Sequence, residues 1–321
     1  MRLHESRETY LEFIQATAAH IGIPAVHVEK DYWVTRVLKR LQESDYSEAV
    51  VFKGGTSLSK AHRLIQRFSE DIDLALKWEE GLSNSQRRAR IRSIEREITC
   101  DLRHLPGHPG ESKHGRFRKT AHAFPMHTDA AALGQVSDAL LLEINSFASP
   151  EPSSPMQIGT LIREFLTATG RADLVPLHEL NPFSVNTLSV ERTLCEKIMN
   201  LVRTGYQANP AQEFRRRVRH FYDVVMIMRV ERYRRFVASD AFADLMVNVM
   251  ESDRRSLPDA HVWLSPPLGK ATIVADADGL WSQVRSEFRG SFRDMVYDDS
   301  LPDDAEVREC LDAIGRALTR I

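Results

Sequence analysis

Residues 51–76 read VFKGGTSLSKAHRLIQRFSEDIDLAL. The stretch joins an apolar strand pattern, a Gly-Gly turn, a helix start rich in hydroxyl groups and a second strand with an Asp-x-Asp pattern. Side chains alternate between the two faces of a strand, so Asp71 and Asp73 should project to the same side. Because these elements follow one another without a gap, the turn and both carboxylates are predicted to converge on one site.

Two carboxylates on one face of a strand predict a site for a hard cation. Mg²⁺ prefers oxygen ligands, and proteins usually hold it with one or two carboxylates together with the phosphates of a substrate. Asp71 and Asp73 are therefore predicted metal ligands, for Mg²⁺ or Mn²⁺. The alternative is a pair of solvated or helix-capping aspartates.

The Gly-Gly turn predicts a site that binds the phosphates of a nucleotide triphosphate. Gly54 and Gly55 allow the backbone to approach a phosphate closely, and the free N–H groups of the following helix favour anions. The alternative is an ordinary strand-to-helix turn with an N-cap. Arg67 and Ser69 precede the aspartate strand and would touch phosphate or fix the carboxylates. The predicted nucleotide-binding residues are Lys53, Gly54, Gly55, Thr56, Ser57, Arg67 and Ser69.

The length of 321 residues allows one large domain or two moderate ones, and we expect two. Connections at 149–155 and 180–186 precede a strongly helical second half. The predicted domains are residues 1–185, which contain the strand pattern, and residues 186–321, which are helical.

Hydrophobic periodicity predicts the remaining elements. Helices are expected at 5–20, 29–41, 85–104, 188–204, 211–229, 231–252, 279–290 and 303–319. Residues 105–115 are rich in glycine and proline and predict an exposed loop, residues 116–127 predict a hairpin, and residues 138–147 predict a strand.

The formal charge of −2 does not by itself indicate nucleic-acid binding, but the basic residues are clustered. The acidic stretch 294–306 balances the sum. A solvated, salt-bridged helix face is the alternative for each arginine cluster, whereas the loop with Lys113, Arg116, Arg118 and Lys119 is interpreted as a basic flap over an acceptor strand. The clusters are Arg87, Arg88, Arg90 and Arg92; Arg215, Arg216, Arg217 and Arg219; Arg229, Arg232, Arg234 and Arg235; and Lys113, Arg116, Arg118 and Lys119.

The three cysteines stand far apart without a Cys-x-x-Cys spacing, so neither a disulfide framework nor a zinc ribbon is expected. The longest apolar run is far too short to span a bilayer. The sequence predicts a soluble, cytoplasmic protein without a membrane partner.

Four motifs resemble the AbiEii/AbiGii family of nucleotidyltransferase toxins, which includes the MenT toxins. They are EKDYWVTRVL at 29–38, FKGGTSLSK…RFSEDIDL at 52–74, TLCEKIMNLVR at 193–203 and RVRHFYDV at 217–224, in the family's order. The resemblance covers most of residues 25–230. It implies an α/β (α+β) fold with a DNA polymerase beta-like nucleotidyltransferase core and a mainly helical C-terminal lobe.

The resemblance also implies catalytic roles. Asp71 and Asp73 would bind the metal that carries the triphosphate. Glu143, on a neighbouring strand, would help bind a second metal and activate the acceptor hydroxyl. Lys197 would stabilise charge on the leaving pyrophosphate. Asp223 would orient Lys197, or help hold the nucleotide or the metal.

Each of the last three assignments has an alternative in the residues themselves. Glu143 would be solvent-exposed if its strand lay at the edge of the sheet. Lys197 would be a snorkelling lysine on an apolar helix. Asp223 would be a buried aspartate paired with a neighbour such as Arg219.

The implied function is that of the toxin in a toxin–antitoxin system, with a cognate antitoxin protein as partner. The enzyme would transfer NMP from an NTP to an acceptor and release pyrophosphate. The acceptor that the resemblance implies is the 3′ end of tRNA, whose modification blocks translation. Two alternatives stay open: transfer of NMP or phosphate to a protein hydroxyl, including one on the antitoxin, and a non-catalytic nucleotide- or RNA-binding module.

Overall fold

The computed structural model describes residues 2–69, 71–77, 81–114, 116–129, 137–147, 149–297 and 301–321. The chain forms two compact units. Unit 1 comprises Met1–His62 and Phe68–Leu188, and unit 2 comprises Arg63–Arg67 and Ser189–Ile321. The short segment before the aspartate strand therefore belongs to the unit that is otherwise C-terminal.

Unit 1 is built around a mixed β-sheet. Its strands are β1 (Val50–Lys53), β2 (Asp71–Leu76), β3 (Arg103–His104), β4 (Ser112–His114), β5 (Phe117–Ala123), β6 (Leu140–Asn145), β7 (Ser153–Ile158) and β8 (Phe183–Leu188). Within the described residues the sheet has eight strands in the order β3-β5-β6-β2-β1-β8-β7, and β4 also pairs with β5. The pairs β1–β8 and β2–β6 are parallel, and the other pairs are antiparallel.

The central strands are apolar except where charged residues enter them. Val50, Val51 and Phe52 of β1 are fully buried, as expected for β-branched and aromatic residues on a covered sheet. β1 ends at Lys53, and the antiparallel β2 begins at Asp71, so both charged termini lie at the same end of this strand pair.

Helices surround this sheet. They are α1 (Arg7–Ile21), α2 (Ala25–Glu43), α3 (Gly54–Lys60), α4 (Asn84–Ile98), α5 (Leu161–Ala168) and α6 (Leu174–Leu177). α2 packs against β8 and α4, and α4 packs against β6.

Two charged residues near the start of α2 are fully buried and bind loop backbone. The Glu29 carboxylate accepts hydrogen bonds from the backbone N–H groups of His127 and Thr128 at 2.9 and 3.0 Å. Lys30 Nζ donates to the backbone oxygen of Ser137 at 2.6 Å. Burial of a charge is costly unless it is paired in this way, so these residues hold the loop positions to α2.

Asp31 follows directly and joins three elements. One carboxylate oxygen pairs with Lys60 at the end of α3, and the other accepts a hydrogen bond from the backbone N–H of Leu161 at 2.8 Å. Both members of the ion pair are about nine-tenths buried. α2 therefore fixes the far end of the short helix that follows the glycine turn.

Unit 2 is helical. Its helices are α7 (Val190–Thr204), α8 (Pro210–Arg216), α9 (Val218–Arg229), α10 (Glu231–Val237), α11 (Asp240–Ser256), α12 (His261–Leu264), α13 (Thr272–Ala275), α14 (Ala277–Arg289) and α15 (Asp304–Leu318). α9 packs against α7, α10 and α15. Among the described residues, no helix has the length and apolarity needed to cross a membrane.

Several predicted boundaries are wrong. The helix predicted at 85–104 ends at Ile98, where the Thr99 hydroxyl donates to the Glu95 carbonyl oxygen, and His104 instead pairs with His122 in the sheet. The loop predicted at 105–115 contains β4. His104 pairs with a residue further along the chain, which overrides the local helix pattern, whereas β4 pairs with the strand that follows it directly in sequence.

The helices predicted at 211–229 and 231–252 are each two helices. The first breaks at Arg217, whose side chain bonds the Glu213 carbonyl oxygen at 3.1 Å, and the second breaks at Ala238–Ser239. The connections predicted at 149–155 and 180–186 are partly strands, because β7 and β8 pair with each other there.

Candidate active site

A row of four charged residues crosses the sheet of unit 1. The strand register pairs Lys53 with Asp73, Asp73 with Glu143, and Glu143 with Lys119. Residues paired in this way project to the same face of a sheet. Two carboxylates therefore lie next to each other, with a lysine on the strand at each side. We call this set, together with Asp71, the carboxylate face.

Glu143 lies on an internal strand. β6 pairs with β2 on one side and β5 on the other, so the edge-strand alternative is wrong. Burial raises the pKa of Glu143, while Lys119 and Lys53 oppose this. Burial, Glu143 and Asp71 likewise raise the pKa of Asp73 against the effect of the same two lysines. Like charges placed this close are destabilising without a cation between them.

Lys119 lies on the carboxylate face, although the sequence patterns assigned it to the basic flap and not to the carboxylates. Its Nζ lies 3.5 Å from Asp71 Oδ2. Burial opposes its charge, but Asp71, Asp73 and Glu143 raise the pKa of Lys119 above its ordinary value. Lys119 of β5 stands opposite Glu143 of β6, and this pairing of opposite charges identifies it. The pairing becomes visible only when the strand register is known.

The basic flap predicted from Lys113, Arg116, Arg118 and Lys119 is divided between the two faces of β5. Lys119 lies on the carboxylate face, whereas Arg118, one residue earlier, points to the other face and pairs with Glu95 of α4. Lys113 pairs with Glu111 at 3.2 Å. The flap interpretation is therefore wrong for Arg118.

Gly54 makes room for a carboxylate. It is the first residue of α3 and has a positive φ of 77°, which favours glycine. A Cβ atom at this position would stand 2.0 Å from Asp73 Oδ2. The glycine is thus required both by its backbone conformation and by the side chain of Asp73.

Hydroxyl groups in this stretch tie α3 to β2. Thr56 Oγ1 donates to the backbone oxygen of Asp71 and lies 3.0 Å from Ser69 Oγ, and Ser57 Oγ donates to the Gly54 carbonyl oxygen at 2.9 Å. Thr56 and Ser57 are buried. These contacts position the turn and Asp71, and contact of the three hydroxyls with a nucleotide stays a prediction.

The donor set suits a hard cation only in part. Asp71 Oδ1 is buried and has no hydrogen-bond partner, which is consistent with an open ligand position. However, the described residues contain no group of three His, Cys, Asp or Glu side chains arranged to hold a metal ion. Since Mg²⁺ is usually bound by one or two carboxylates and substrate phosphates, the fit supports Asp71 and Asp73 more than a preformed three-carboxylate site.

In unit 2, Asp223 lies between two cations. Arg67 binds it with two parallel hydrogen bonds of 2.7 Å, from Nε to Oδ1 and from Nη2 to Oδ2. Lys197 Nζ donates to Oδ2 at 2.6 Å. Asp223 is completely buried, and Arg67 and Lys197 are at most 7 % exposed. Asp223 is thus a buried, paired aspartate, but its partners are Arg67 and Lys197 and not the Arg219 proposed in the alternative interpretation.

The pair of cations decides the charge state of Asp223. Burial would raise its pKa, but Arg67 and Lys197 hold the pKa of Asp223 well below its usual range. Burial and the nearby Lys197 lower the pKa of His220, whose Nδ1 lies 3.5 Å from Lys197 Nζ. Asp223 is therefore ionised and fixes the Lys197 ammonium. Contact of Arg67 with a nucleotide stays a prediction.

The arginine clusters of unit 2 are largely salt-bridged. Arg216 and Arg217 pair with Glu213, and Arg234 and Arg235 pair with Glu231. Arg229 and Arg232 pair with Glu306 and Glu191. The salt-bridged helix face is thus the better description of these clusters. Asp298 and Asp299 of the acidic stretch lie outside the described residues.

Comparison with known proteins identifies a family. The model of the nucleotidyl transferase AbiEii toxin family, type IV toxin–antitoxin system, matches residues 36–313. Among solved structures, the chain is similar to MenT4, a nucleotidyltransferase toxin from Mycobacterium tuberculosis H37Rv, with 14% identity and a TM-score of 0.47. That match covers 94% of this chain and 98% of MenT4. No curated protein matches the sequence.

The family match extends over most of the chain, including the carboxylate face and the Asp223 network. It confirms the family resemblance, and three of the four sequence motifs lie entirely within the matched residues. The chain belongs to the AbiEii family of nucleotidyltransferase toxins of type IV toxin–antitoxin systems.

Proposed function

We propose that the carboxylate face is the catalytic centre and that the enzyme transfers NMP from an NTP to the 3′ end of tRNA. The observation that carries this proposal is the register pairing of Asp73 with Glu143, flanked by Lys53 and Lys119. We further propose that β1, α3, β2 and β6 correspond to a DNA polymerase beta-like core, with Glu143 as its third carboxylate.

At the α-phosphorus the reaction forms one bond and breaks one. The acceptor hydroxyl oxygen attacks the α-phosphorus, the bond from that phosphorus to the bridging oxygen of the β-phosphate breaks, and pyrophosphate leaves with the bonding electrons. Glu143 takes the proton of the hydroxyl. Its raised pKa suits a general base, because proton transfer is most effective when the pKa lies near the working pH.

Asp71 and Asp73 would hold Mg²⁺ or Mn²⁺ together with the triphosphate. The bound ion would neutralise phosphate charge and withdraw electrons from the α-phosphorus. Gly54, Gly55 and Lys53 would face the phosphates, with Thr56, Ser57 and Ser69 holding the turn in place. Lys119 offsets part of the negative charge of the three carboxylates.

Lys197 and Asp223 of unit 2 are also proposed to take part in the transfer reaction. The Lys197 ammonium would stabilise the charge on the leaving pyrophosphate, and Asp223 would orient it, with Arg67 as the second support of Asp223. The toxin's cognate antitoxin would restrain this activity.

The test supplies the purified enzyme with α-labelled or γ-labelled NTPs, Mg²⁺, total tRNA and cell protein. We expect label from the α-position on tRNA, and none from the γ-position. Label only on protein would replace tRNA by a protein hydroxyl as acceptor. Growth inhibition that persists in Asp73→Asn would instead show that toxicity does not require catalysis.

The part of Lys197 is tested by combining two substitutions. Asp73→Asn and Lys197→Met should each lower the transfer rate by about a hundredfold or more, and the double variant should be no slower than the slower single variant. Residues that act on one reaction step give such non-additive losses. Additive losses would mean that Lys197 acts outside the carboxylate centre.

A further inference from the structure

A cleft of about 560 Å³ lies on the face of the unit 1 sheet opposite to the carboxylate face. Arg118 and His122 of β5 line it, and strand alternation places both on the side away from Lys119. α4 forms the other wall, with β3 contributing His104. We call this feature the back-face cleft. Its volume falls in the range of small-molecule sites and exceeds the needs of a single small ion.

The rim of the back-face cleft is positively charged. Arg92 and Arg96 are four residues apart on α4, so they project from the same side of the helix. Both are exposed, and neither forms an ion pair within the part of the chain that the structure describes. Like charges at this spacing repel each other, and an anion between them would remove that cost.

The one carboxylate in the cleft is already neutralised. Glu95 is buried and binds the Arg118 guanidinium through both of its oxygens. Three guanidinium groups therefore face a single paired carboxylate, and the net charge of the lining favours an anion. Guanidinium groups bind phosphate strongly because their planar donors match its oxygens.

The buried ring of His122 is a second, independent feature of the cleft. Its side chain is 2 % exposed, and its Nδ1 is buried without a hydrogen-bond partner. Its Nε2 lies 3.0 Å from Thr120 Oγ1. Burial lowers the pKa of His122 to about 4, so the ring is neutral near pH 7. His122 lines the cleft, and an unpartnered polar atom in a residue of the lining is suited to a polar group of a ligand.

We propose that the back-face cleft is a second ligand site that binds one phosphate-bearing nucleotide unit, with Arg92 and Arg96 on the phosphate and His122 Nδ1 on a polar group of the base or sugar. The unit is either a free nucleotide or one residue of an RNA strand. The proposal does not depend on the transfer reaction, because no residue of the carboxylate face takes part.

The chain carries its own reporter for this site. Cys100 lines the cleft and is exposed, whereas Cys195 and Cys310 are buried. Burial raises the pKa of both buried thiols, that of Cys310 to about 12, so they react slowly with thiol reagents. A ligand in the cleft should shield Cys100. The fast phase of thiol modification should disappear in Cys100→Ser, which assigns the signal.

The experiment measures the modification rate of Cys100 in the full chain with inorganic phosphate, each of the four nucleoside monophosphates, or a short single-stranded oligoribonucleotide. We expect protection by nucleotides at lower concentration than by phosphate. The combined change Arg92→Gln and Arg96→Gln should weaken protection by about tenfold or more, because two charge-assisted contacts are lost. Circular dichroism confirms that this variant is folded.

Two matched variants define the site. Arg88→Gln removes an exposed arginine of α4 that does not line the cleft, and Asp73→Asn alters the carboxylate face. Both should retain protection. Protection by mononucleotides identifies a free nucleotide as the ligand, and protection by the oligoribonucleotide alone identifies an RNA strand. The proposal is overturned if no probe protects Cys100 at millimolar concentration, or if protection persists in the Arg92 and Arg96 variant.

Discussion

Gly54 and Asp73 occupy adjoining space: a Cβ atom on Gly54 would stand 2.0 Å from Oδ2 of Asp73. The contact makes the glycine turn and the aspartate strand parts of one unit of structure. The Asp73 carboxylate occupies the space that a side chain at position 54 would need. The glycine is therefore needed for the carboxylate, in addition to any role it has toward a phosphate.

Gly54→Ala should damage both stability and transfer. The positive φ of 77° alone should cost about 1 kcal/mol. The Asp73 carboxylate must also move, and displacement of a reacting group by about 1 Å can lower a rate by about a hundredfold. Urea unfolding and the labelled-NTP assay measure the two effects.

Gly22→Ala is the matched control for this change. Gly22 has a φ of 78° and no atom within 4 Å of its added Cβ. It should show the loss of stability without the loss of transfer. If the two variants lowered the transfer rate equally, the contact with Asp73 would not be the cause.

Lys119→Met should lower transfer and change its pH dependence. Lys119 lowers the pKa values of Asp73 and Glu143, so its removal raises them further. If both carboxylates must be ionised, the acid limb of the kcat/KM profile moves to higher pH. Lys113→Met is the control. Lys113 lies on the neighbouring strand β4 and pairs with Glu111, so the pH profile of this variant should match that of the wild type. An unchanged acid limb in Lys119→Met would contradict the assignment.

Asp223→Asn should destabilise unit 2 by about 3–5 kcal/mol, because Arg67 and Lys197 would stay buried without a counter-charge. The lowered pKa of Asp223 makes its contribution complete above its ordinary pKa of 3.8, with loss as the pH falls below that value. The difference between wild type and variant, measured by urea unfolding, should be constant from about pH 5 to 8 and shrink below pH 4.

Asp253→Asn should show the opposite trend in the same unit. Burial raises the pKa of Asp253 against the effects of Arg203 and Trp263. The folded wild type therefore binds this proton more tightly than the unfolded chain, and its stability falls as the pH rises above 3.8. The variant should gain relative to wild type over that interval. Equal pH trends for both variants would refute the opposite pKa shifts of Asp223 and Asp253.

Lys60→Met should cost about 3 kcal/mol or more, since Asp31 would keep a buried carboxylate without its cation. A double-mutant cycle with Asp31→Asn should give a coupling energy above about 1 kcal/mol. The exposed pair Lys39–Glu43 on the same helix, with a separation of 3.3 Å, should give less than about 0.5 kcal/mol. Similar coupling energies for the two pairs would show that the buried pair does not fasten α3.

The local patterns predicted the strands around the two aspartates. The alternation of side chains places Asp71 and Asp73 on one face, and the apolar segments around them form the expected strands β1, β2 and β6. These features depend on neighbouring residues only. They fail where a distant partner decides, as at His104, which joins the sheet by pairing with His122.

The buried charged residues also depend on partners that are distant along the chain. The motif EKDYWVTRVL marked residues 29–31, but the pattern did not reveal that each of these charges is buried against a segment far along the chain. Likewise, the sequence predicted phosphate contacts for Arg67, whereas in the structure Arg67 binds Asp223, which is 156 residues away.

The sequence by itself determined the α/β organisation, the helical C-terminal half, the family and the two aspartates, because periodicity and motifs are properties of short segments. The family resemblance implied that Glu143 lies on a strand next to the aspartates and offered Lys197 as a partner of Asp223. The tertiary structure alone decided that Lys119 completes the row beside Glu143 and that Arg67 is the second partner of Asp223. Strand register and buried ion pairs join residues that are distant along the chain, so no local pattern specifies them.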